Sequence, residues 1–144
     1  MTIVERLKAG VTTGSAEQTR ALAEALARAL PPDATLALHG DLGVGKTTFV
    51  QGLARGLGVA EHVTSPTFAI YSVYRGPARR LVHLDAYRLE HERQIEALLL
   101  EEFLISPWCL AIEWPEKIAA LLPADAWQLT LSIVDGEKHH VVLR

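Results

Sequence analysis

The sequence has little cysteine and lacks long apolar runs. Cys109 is the one cysteine among 144 residues, so an internal disulfide is excluded. It lies in the apolar run 109–112, which indicates a small core residue rather than a nucleophile. No run of 18 apolar residues occurs, and no long apolar segment follows the charged N-terminus, so neither a membrane span nor a secretory signal is predicted. These absences predict a cytoplasmic location.

A large excess of positive charge is also missing. The net charge is −3 with neutral histidines, which argues against stable direct binding to nucleic acid. Arg75, Arg79 and Arg80 flank a predicted turn at 76–78. Such a cluster is more often a solvated tip than a docking site, although loops do carry binding functions. The six histidines do not repeat at a metal-site spacing, so we interpret them as structural or surface residues.

The remaining composition is that of an ordinary folded protein. Hydrophobic residues make up 49% and charged residues 22% of the chain, as in soluble globular proteins. The length suffices for one core, so we predict one domain spanning residues 1–144.

The most informative stretch, residues 40–48, reads GDLGVGKTT and matches the phosphate-binding pattern GxxxxGK[ST]. An apolar run at 35–39 precedes it, and Phe49, Leu53 and Leu57 follow at helical spacing, so the loop joins a strand to a helix. A chance match is rare in a chain of this length, and the strand and helix make it rarer. The predicted nucleotide-binding residues are Gly40, Asp41, Leu42, Gly43, Val44, Gly45, Lys46, Thr47 and Thr48.

Each residue type in this loop has a separate task. Glycine lets the backbone turn several N–H groups toward one anion, and the following helix adds its free amides and the positive end of its dipole. Lys46 can reach the β- and γ-phosphates, while the hydroxyl of Thr47 is suited to bind Mg²⁺. The stretch 13–16 is the one candidate that we name for an adenine pocket.

Two carboxylates end predicted strands. Asp85 follows an apolar run, as in a Walker B strand whose carboxylate reaches the metal held by Thr47, and a turn or helix-capping role is the alternative. Glu113 could orient or deprotonate the attacking water, or bind Mg²⁺, but an ordinary solvated glutamate is an equal alternative on chemistry alone. Trp114 is interpreted as a packing residue or a lid. Thr67 occupies a switch-type position, but its chemistry favours a turn hydroxyl.

The order of the predicted elements favours an α/β fold. We expect a first strand within 3–13, a helix from Ser15 to the prolines at 31–32, and the helix after the loop ending at Gly58. Strands at 68–74 and 81–84 should pair antiparallel. An amphipathic helix carrying Ile95, Leu98, Leu99 and Phe103, a buried strand at 109–112, a short helix at 116–122 and a hairpin around 135–136 complete the chain. The prediction is a P-loop NTPase-like domain of three layers, with a mostly parallel central sheet and antiparallel additions.

Together these motifs resemble one family, TsaE, the small P-loop ATPases of tRNA threonylcarbamoyladenosine biosynthesis. The resemblance covers residues 15–122 and rests on the order and spacing of four segments. They are 40–49 (GDLGVGKTTF), 64–68 (TSPTF), 83–89 (HLDAYRL) and 112–116 (IEWPE).

The resemblance implies ATP and Mg²⁺ as cofactors, and TsaB and TsaD as partners through which the protein serves tRNA indirectly. It implies that Lys46 and Thr47 bind phosphate and Mg²⁺, that Asp85 and Glu113 are needed for hydrolysis, and that Thr67 lies in a switch-like loop. We therefore expect Lys46, Asp85 and Glu113 to be catalytic, and Thr47, Asp85 and Glu113 to hold the metal. A small metabolite kinase and an ATP-gated binding module without functional hydrolysis are the alternatives.

Overall fold

A computed structural model describes residues 1–66, 70–90, 93–96 and 100–144. Within these ranges no helix is long and apolar enough to cross a membrane. The described α-helices are α1 (Ile3–Ala9), α2 (Ala16–Ala29), α3 (Lys46–Gly56) and α4 (Arg93–Glu96), and 3₁₀ helices cover Leu100–Glu102 and Pro115–Leu121. The strands are β1 (Val11–Thr13), β2 (Ala34–His39), β3 (Tyr71–Arg75), β4 (Arg80–Asp85), β5 (Trp108–Glu113), β6 (Trp127–Asp135) and β7 (Lys138–Leu143).

The strands form a seven-stranded sheet with the order β1-β7-β6-β2-β5-β4-β3. The four central strands β6, β2, β5 and β4 run parallel, whereas β3, β7 and β1 join antiparallel at the two sides. The carboxyl ends of β2, β4 and β5 therefore meet at one edge of the sheet. This arrangement confirms the predicted α/β class.

Apolar side chains cover both faces of the sheet. Along β4 the buried Leu81 contributes to one core, together with residues of α1, α2 and α3, while Val82 and Leu84 contribute to a second core on the other face. Strand residues alternate between faces, so a strand that is apolar throughout must be covered on both sides. Ile118 of the 3₁₀ helix Pro115–Leu121 packs in the second core, which completes the three predicted layers.

The N-terminal segment differs from the expected first strand. Residues 3–9 form helix α1, and only 11–13 are extended. Thr2 caps the helix, since its hydroxyl accepts a hydrogen bond from the Glu5 backbone N–H at 3.1 Å. Gly10, with φ +93°, ends it. The sequence contains the Thr2 to Glu5 capping pattern, which indicates a helix, whereas the scattered apolar residues favour a strand.

Helix α2 begins and ends where its sequence signals predict. The Ser15 hydroxyl accepts from the Gln18 backbone N–H at 3.1 Å, and the helix stops before the two prolines. It packs closely on α3. A Cβ built on Gly52 would lie 2.3 Å from the Arg20 carbonyl oxygen, so this contact between the helices requires glycine.

The arginine-flanked turn joins β3 and β4 in the predicted antiparallel hairpin, with Arg75 opposite Arg80. The interpretation of the cluster as a solvated tip is wrong for two of its members. Arg79 donates to the carbonyl of Leu30 at 3.1 Å, and Arg80 donates to the carbonyl of Phe103 at 3.3 Å. Both guanidinium groups are thus hydrogen-bonded to backbone carbonyls outside the hairpin.

Only parts of the predicted amphipathic helix around residue 100 are described. They are α4 and the 3₁₀ turn Leu100–Glu102, and Phe103 lies beyond both. Leu98 and Leu99 lie outside the described residues. The predicted helix 116–122 is a 3₁₀ helix that is interrupted at Ile118, which has φ −133°.

Candidate functional site

The loop between β2 and α3 contains three glycines with positive φ angles, at positions 40, 43 and 45. Gly45 has φ +99° at the start of α3, where no side chain caps the helix. The amides of its first turn therefore have no intrahelical partner and suit an anion. At Gly40, φ is +144°, and a Cβ would lie 2.5 Å from the Leu131 carbonyl oxygen. The backbone path of the loop thus depends on glycine at these two positions.

Lys46 lies inside this loop and is almost fully buried, with a relative exposure of 4%. Its Nζ donates to the carbonyl oxygen of Gly40 at 2.6 Å and lies 3.6 Å from the centre of the Trp114 ring. Burial lowers the pKa of Lys46, and the negative charges of nearby carboxylates, chiefly Glu113, partly offset that effect. An ammonium group with two N–H groups beyond its bond to Gly40 is well suited to bind phosphate oxygens.

Trp114 covers this ammonium group from the other side. The residue adopts left-handed backbone angles, φ +58° and ψ +51°, directly after the end of β5. Its ring lies 5.0 Å from the ring of Tyr87, which follows β4. The interpretation of Trp114 as a packing residue or lid matches this position, because its ring lies over Lys46 and packs against Tyr87 at the carboxyl edge of the sheet.

Glu113 contacts the residue predicted to bind the metal. Its Oε2 accepts a hydrogen bond from the Thr47 hydroxyl at 3.1 Å and lies 2.6 Å from Nε2 of His83. The glutamate has a relative exposure of 4% and His83 of 0%. The alternative of an ordinary solvated glutamate is therefore wrong.

Asp85 lies beside Glu113 in the parallel register of β4 and β5. Its Oδ1 accepts from the Tyr87 backbone N–H at 3.0 Å, and its Oδ2 accepts from the Ser65 hydroxyl at 3.5 Å. The Ser65 hydroxyl lies in turn 3.4 Å from that of Thr47. Asp85 thus combines the turn-capping role with the predicted orientation toward Thr47. Glu113 is the direct partner of Thr47 because β5, and not β4, is the neighbour of β2.

These residues fit a magnesium ion. Thr47, Ser65, Asp85 and Glu113 offer hydroxyl and carboxylate oxygens, the ligands that Mg²⁺ prefers. Within the described ranges no three or more His, Cys, Asp or Glu side chains are arranged to hold a metal ion by themselves. Magnesium typically takes one or two carboxylates and completes its shell with water and phosphate oxygens, so this donor set suits a metal that arrives with a nucleotide.

A cavity of about 530 Å³ adjoins the loop, and Glu113 is not among its lining residues. The start of α2, the loop and the β6–β7 hairpin line it through Ser15, Ala16, Thr19, Gly43, Gly45, Thr48, Ile133, Gly136, Glu137 and His139. His139 Nδ1 donates to the carbonyl oxygen of Val44 at 2.7 Å, so the hairpin is bonded to the loop itself. Part of the stretch named for an adenine pocket, 15–16, lies in this lining.

The structure therefore brings together most of the predicted site residues. The loop, Lys46, Thr47, Asp85 and Glu113 share one edge of the sheet, whereas Thr67 lies outside the described residues. Sequence reasoning missed the contacts of His83, Ser65 and His139. His83 had a usable signal, since it precedes Asp85 by two residues in a strand and must share its face.

Comparison with known proteins agrees with the motifs. The model of the family "Threonylcarbamoyl adenosine biosynthesis protein TsaE" matches residues 13–141. The tRNA threonylcarbamoyladenosine biosynthesis protein TsaE of Bacillus subtilis is 36% identical over 129 residues, covering 90% of this chain and 80% of the relative. The TsaE protein of Treponema pallidum is also 36% identical, over 89% of this chain and 95% of its own.

A solved structure shows the same likeness. The crystal structure of YdiB from Bacillus subtilis superposes with a TM-score of 0.76 at 33% sequence identity, covering 93% of this chain and 82% of YdiB. The family match, the two relatives and this structure all extend over most of the chain. The protein therefore belongs to the TsaE family of threonylcarbamoyladenosine biosynthesis proteins.

Proposed function

We propose that the protein is a Mg²⁺-dependent ATPase that acts in the threonylcarbamoyladenosine modification of tRNA. One observation carries the proposal: the Thr47 hydroxyl donates to the buried Glu113 beside a glycine loop that leads into a helix without a side-chain cap. A hydroxyl, a buried carboxylate and free amides in this arrangement are suited to bind a nucleoside triphosphate and its Mg²⁺ ion. The family to which the chain belongs supports the same pathway.

Each group of residues has a part in binding. The amides of residues 40–48 would hold the β- and γ-phosphates, and the Lys46 ammonium would exchange its bond to Gly40 for phosphate oxygens. Thr47, Asp85 and Glu113 would hold Mg²⁺. The cavity of about 530 Å³ has a size suited to a nucleoside, and it adjoins the loop at Gly43 and Gly45.

The same residues support hydrolysis. Mg²⁺ would supply positive charge that stabilises the charge developing on the phosphate oxygens. Lys46 and the loop amides act in the same way, because they are fixed in place before the reaction. Glu113 accepts hydrogen bonds and is shielded from bulk water, so its carboxylate can orient an attacking water molecule.

We further propose that hydrolysis serves as a switch on a complex of TsaB and TsaD in the cytoplasm. The relatives carry the name of a tRNA modification pathway, and this chain offers no excess of positive charge for binding tRNA directly. On this proposal the protein reaches tRNA through its partners. Turnover would then be slow until the partners bind.

Phosphate release from ATP, measured with and without TsaB and TsaD, tests the enzymatic part. Glu113→Gln should lower kcat by roughly 100-fold or more while ATP still binds, since the amide cannot act as a base. Glu116→Gln is the matched control: the same chemical change lies three residues further on, on a side chain that is 51% exposed. Glu116→Gln should have a kcat within about twofold of the wild-type value.

Two outcomes would support the alternatives instead. Phosphate transfer that starts only when a metabolite with a hydroxyl group is added would identify a kinase. If Glu113→Gln abolished hydrolysis but still supported tRNA modification in cells, ATP would only control the binding of partners, and its hydrolysis would have no function.

A separate experiment tests the partners. The protein should be retained by immobilised TsaB and TsaD to different extents in ATP and in ADP. Equal retention in both nucleotides would contradict the switch but leave the hydrolysis result unaffected.

A further inference from the structure

One buried polar side chain beside the site has no part in the chemistry above. His83 lies in the middle of β4 with a relative exposure of 0%. Its Nε2 is 2.6 Å from Oε2 of Glu113, and its Nδ1 has no hydrogen-bond partner among the described residues.

Packing alone does not explain this histidine. Leu81, two residues earlier on the same face of β4, is buried and apolar. An apolar side chain at position 83 would fill a similar volume without leaving a buried nitrogen unpaired, which costs stability. In the part of the chain that the structure describes, the bond to Glu113 is the contact that requires a histidine here.

The chemistry of the pair fixes the position of one proton. An ionised carboxylate can only accept hydrogen bonds, so Nε2 must carry the proton and donate it. Oε2 of Glu113 then accepts from two sides, from His83 and from Thr47. Two donors on one oxygen restrict both the position and the rotation of the carboxylate.

This restriction also orients the threonine. The Thr47 hydroxyl has one proton, which it gives to Glu113, and its lone pairs are then left for a cation. If the carboxylate rotated away, that proton could turn to the Ser65 hydroxyl, which lies 3.4 Å away. The lone pairs of the Thr47 oxygen would then point in a different direction.

We propose that His83 is a positioning residue for the ATPase site. Through Nε2–H it holds Glu113 where the carboxylate receives the Thr47 proton and faces the attacking water. The proposal rests on the proposed function, because it assigns to His83 a role in the reaction proposed there. His83 does not itself touch the nucleotide.

Three substitutions separate positioning from packing. The amide nitrogen of a glutamine side chain can occupy nearly the position of the histidine Nε2. The asparagine side chain is too short to bring its amide nitrogen to that position, and leucine has no hydrogen-bond donor. His83→Leu and His83→Asn should each lower kcat at least tenfold with the KM for ATP within about twofold. His83→Gln should restore kcat to within about threefold of the wild-type value. Thermal unfolding of each variant shows whether it is folded.

If the glutamine and leucine variants lose activity equally while both are folded, the positioning role is wrong and His83 serves packing. Unchanged kcat in folded His83→Leu would contradict it as well.

A measurement on the wild-type protein does not depend on turnover. Nuclear magnetic resonance of ¹⁵N-labelled histidine should show the His83 proton on Nε2, in slow exchange with water. Glu113→Ala should abolish that slow exchange. A proton found on Nδ1 alone would overturn the proposal even if all three variants failed to fold.

The two proposals fail in different ways. A wild-type protein that releases no phosphate with or without TsaB and TsaD contradicts the ATPase, whatever the resonance of His83 shows. A wild-type protein that hydrolyses ATP, together with an active His83→Leu variant, contradicts only the role of His83.

Discussion

Lys46 is held by a carbonyl on one side and by an aromatic ring on the other, and both contacts orient its ammonium group. A charged donor fixed in this way loses little freedom when phosphate replaces the carbonyl. Lys46→Met keeps the length of the side chain and removes its charge. We expect the Kd for ATP to rise by roughly 100-fold, as for loss of a buried charged contact.

Isothermal titration calorimetry with ATP and Mg²⁺ measures this change. Lys117→Met is the control, because Lys117 is an exposed lysine of the neighbouring 3₁₀ helix. An unchanged Kd for the Lys46 variant would show that the nucleotide does not bind at this loop.

Cys109 shows how burial controls reactivity at a single residue. Burial raises the pKa of its thiol to about 12, with a small opposing effect of the positive charge on Arg79. The thiol reacts as the thiolate, so at pH 8 only roughly one molecule in ten thousand carries the reactive form. We expect folded protein to resist a thiol reagent at pH 8 and to react within seconds after unfolding in urea. Rapid labelling of the folded protein would contradict the buried position.

At the scale of helices, the contact between α2 and α3 depends on glycine. Gly52→Ala would place a methyl group 2.3 Å from the Arg20 carbonyl oxygen and 2.7 Å from the Ala23 side chain. Alanine normally favours a helix over glycine by about 0.5–1 kcal/mol. At position 52 the clash should outweigh this preference, so that the substitution lowers the free energy of unfolding by about 1–3 kcal/mol.

Urea denaturation measures the effect. Gly14→Ala is the control, since a Cβ there meets only the Gln18 side chain, at 3.3 Å, and we expect a change of less than about 0.5 kcal/mol. A stabilised Gly52→Ala variant would mean that the two helices lie further apart.

Elements with local signals were predictable, and pairings between distant elements were not. The phosphate loop, the end of β4 at Asp85 and the end of β5 at Glu113 follow from patterns of a few residues. The bond between Thr47 and Glu113 depends on β5 lying next to β2, and no local pattern encodes that order. Helix α1 is a different case, because its cap at Thr2 could have been recognised.

For the whole molecule, the proposed binding of ATP with Mg²⁺ predicts a rise in thermal stability, because a ligand that binds only the folded state stabilises it. At a ligand concentration of about 100 times Kd the gain is about 2.7 kcal/mol, which corresponds to a rise in Tm of about 5–10 °C. Differential scanning fluorimetry measures it. EDTA should remove most of the rise in Tm, since the proposed metal ligands contact the nucleotide only through the Mg²⁺ ion that EDTA removes.

Thr47→Ala should reduce the same rise, as it removes the hydroxyl proposed to bind the metal. Thr12→Ala is the control, because Thr12 is an exposed threonine of β1 that contacts His140 instead. A full rise in Tm with EDTA present would contradict a role of Mg²⁺ in binding.

The place of β1 in the sheet has a consequence for synthesis. In the described sheet β1 hydrogen-bonds with β7, with Val11 opposite Val141. A ribosome makes residues 11–13 long before residues 138–143, so β1 cannot reach its place until the last strand has left the exit tunnel. The helical segment at the start of the chain should therefore dock late, after the parallel strands and the nucleotide loop have already formed.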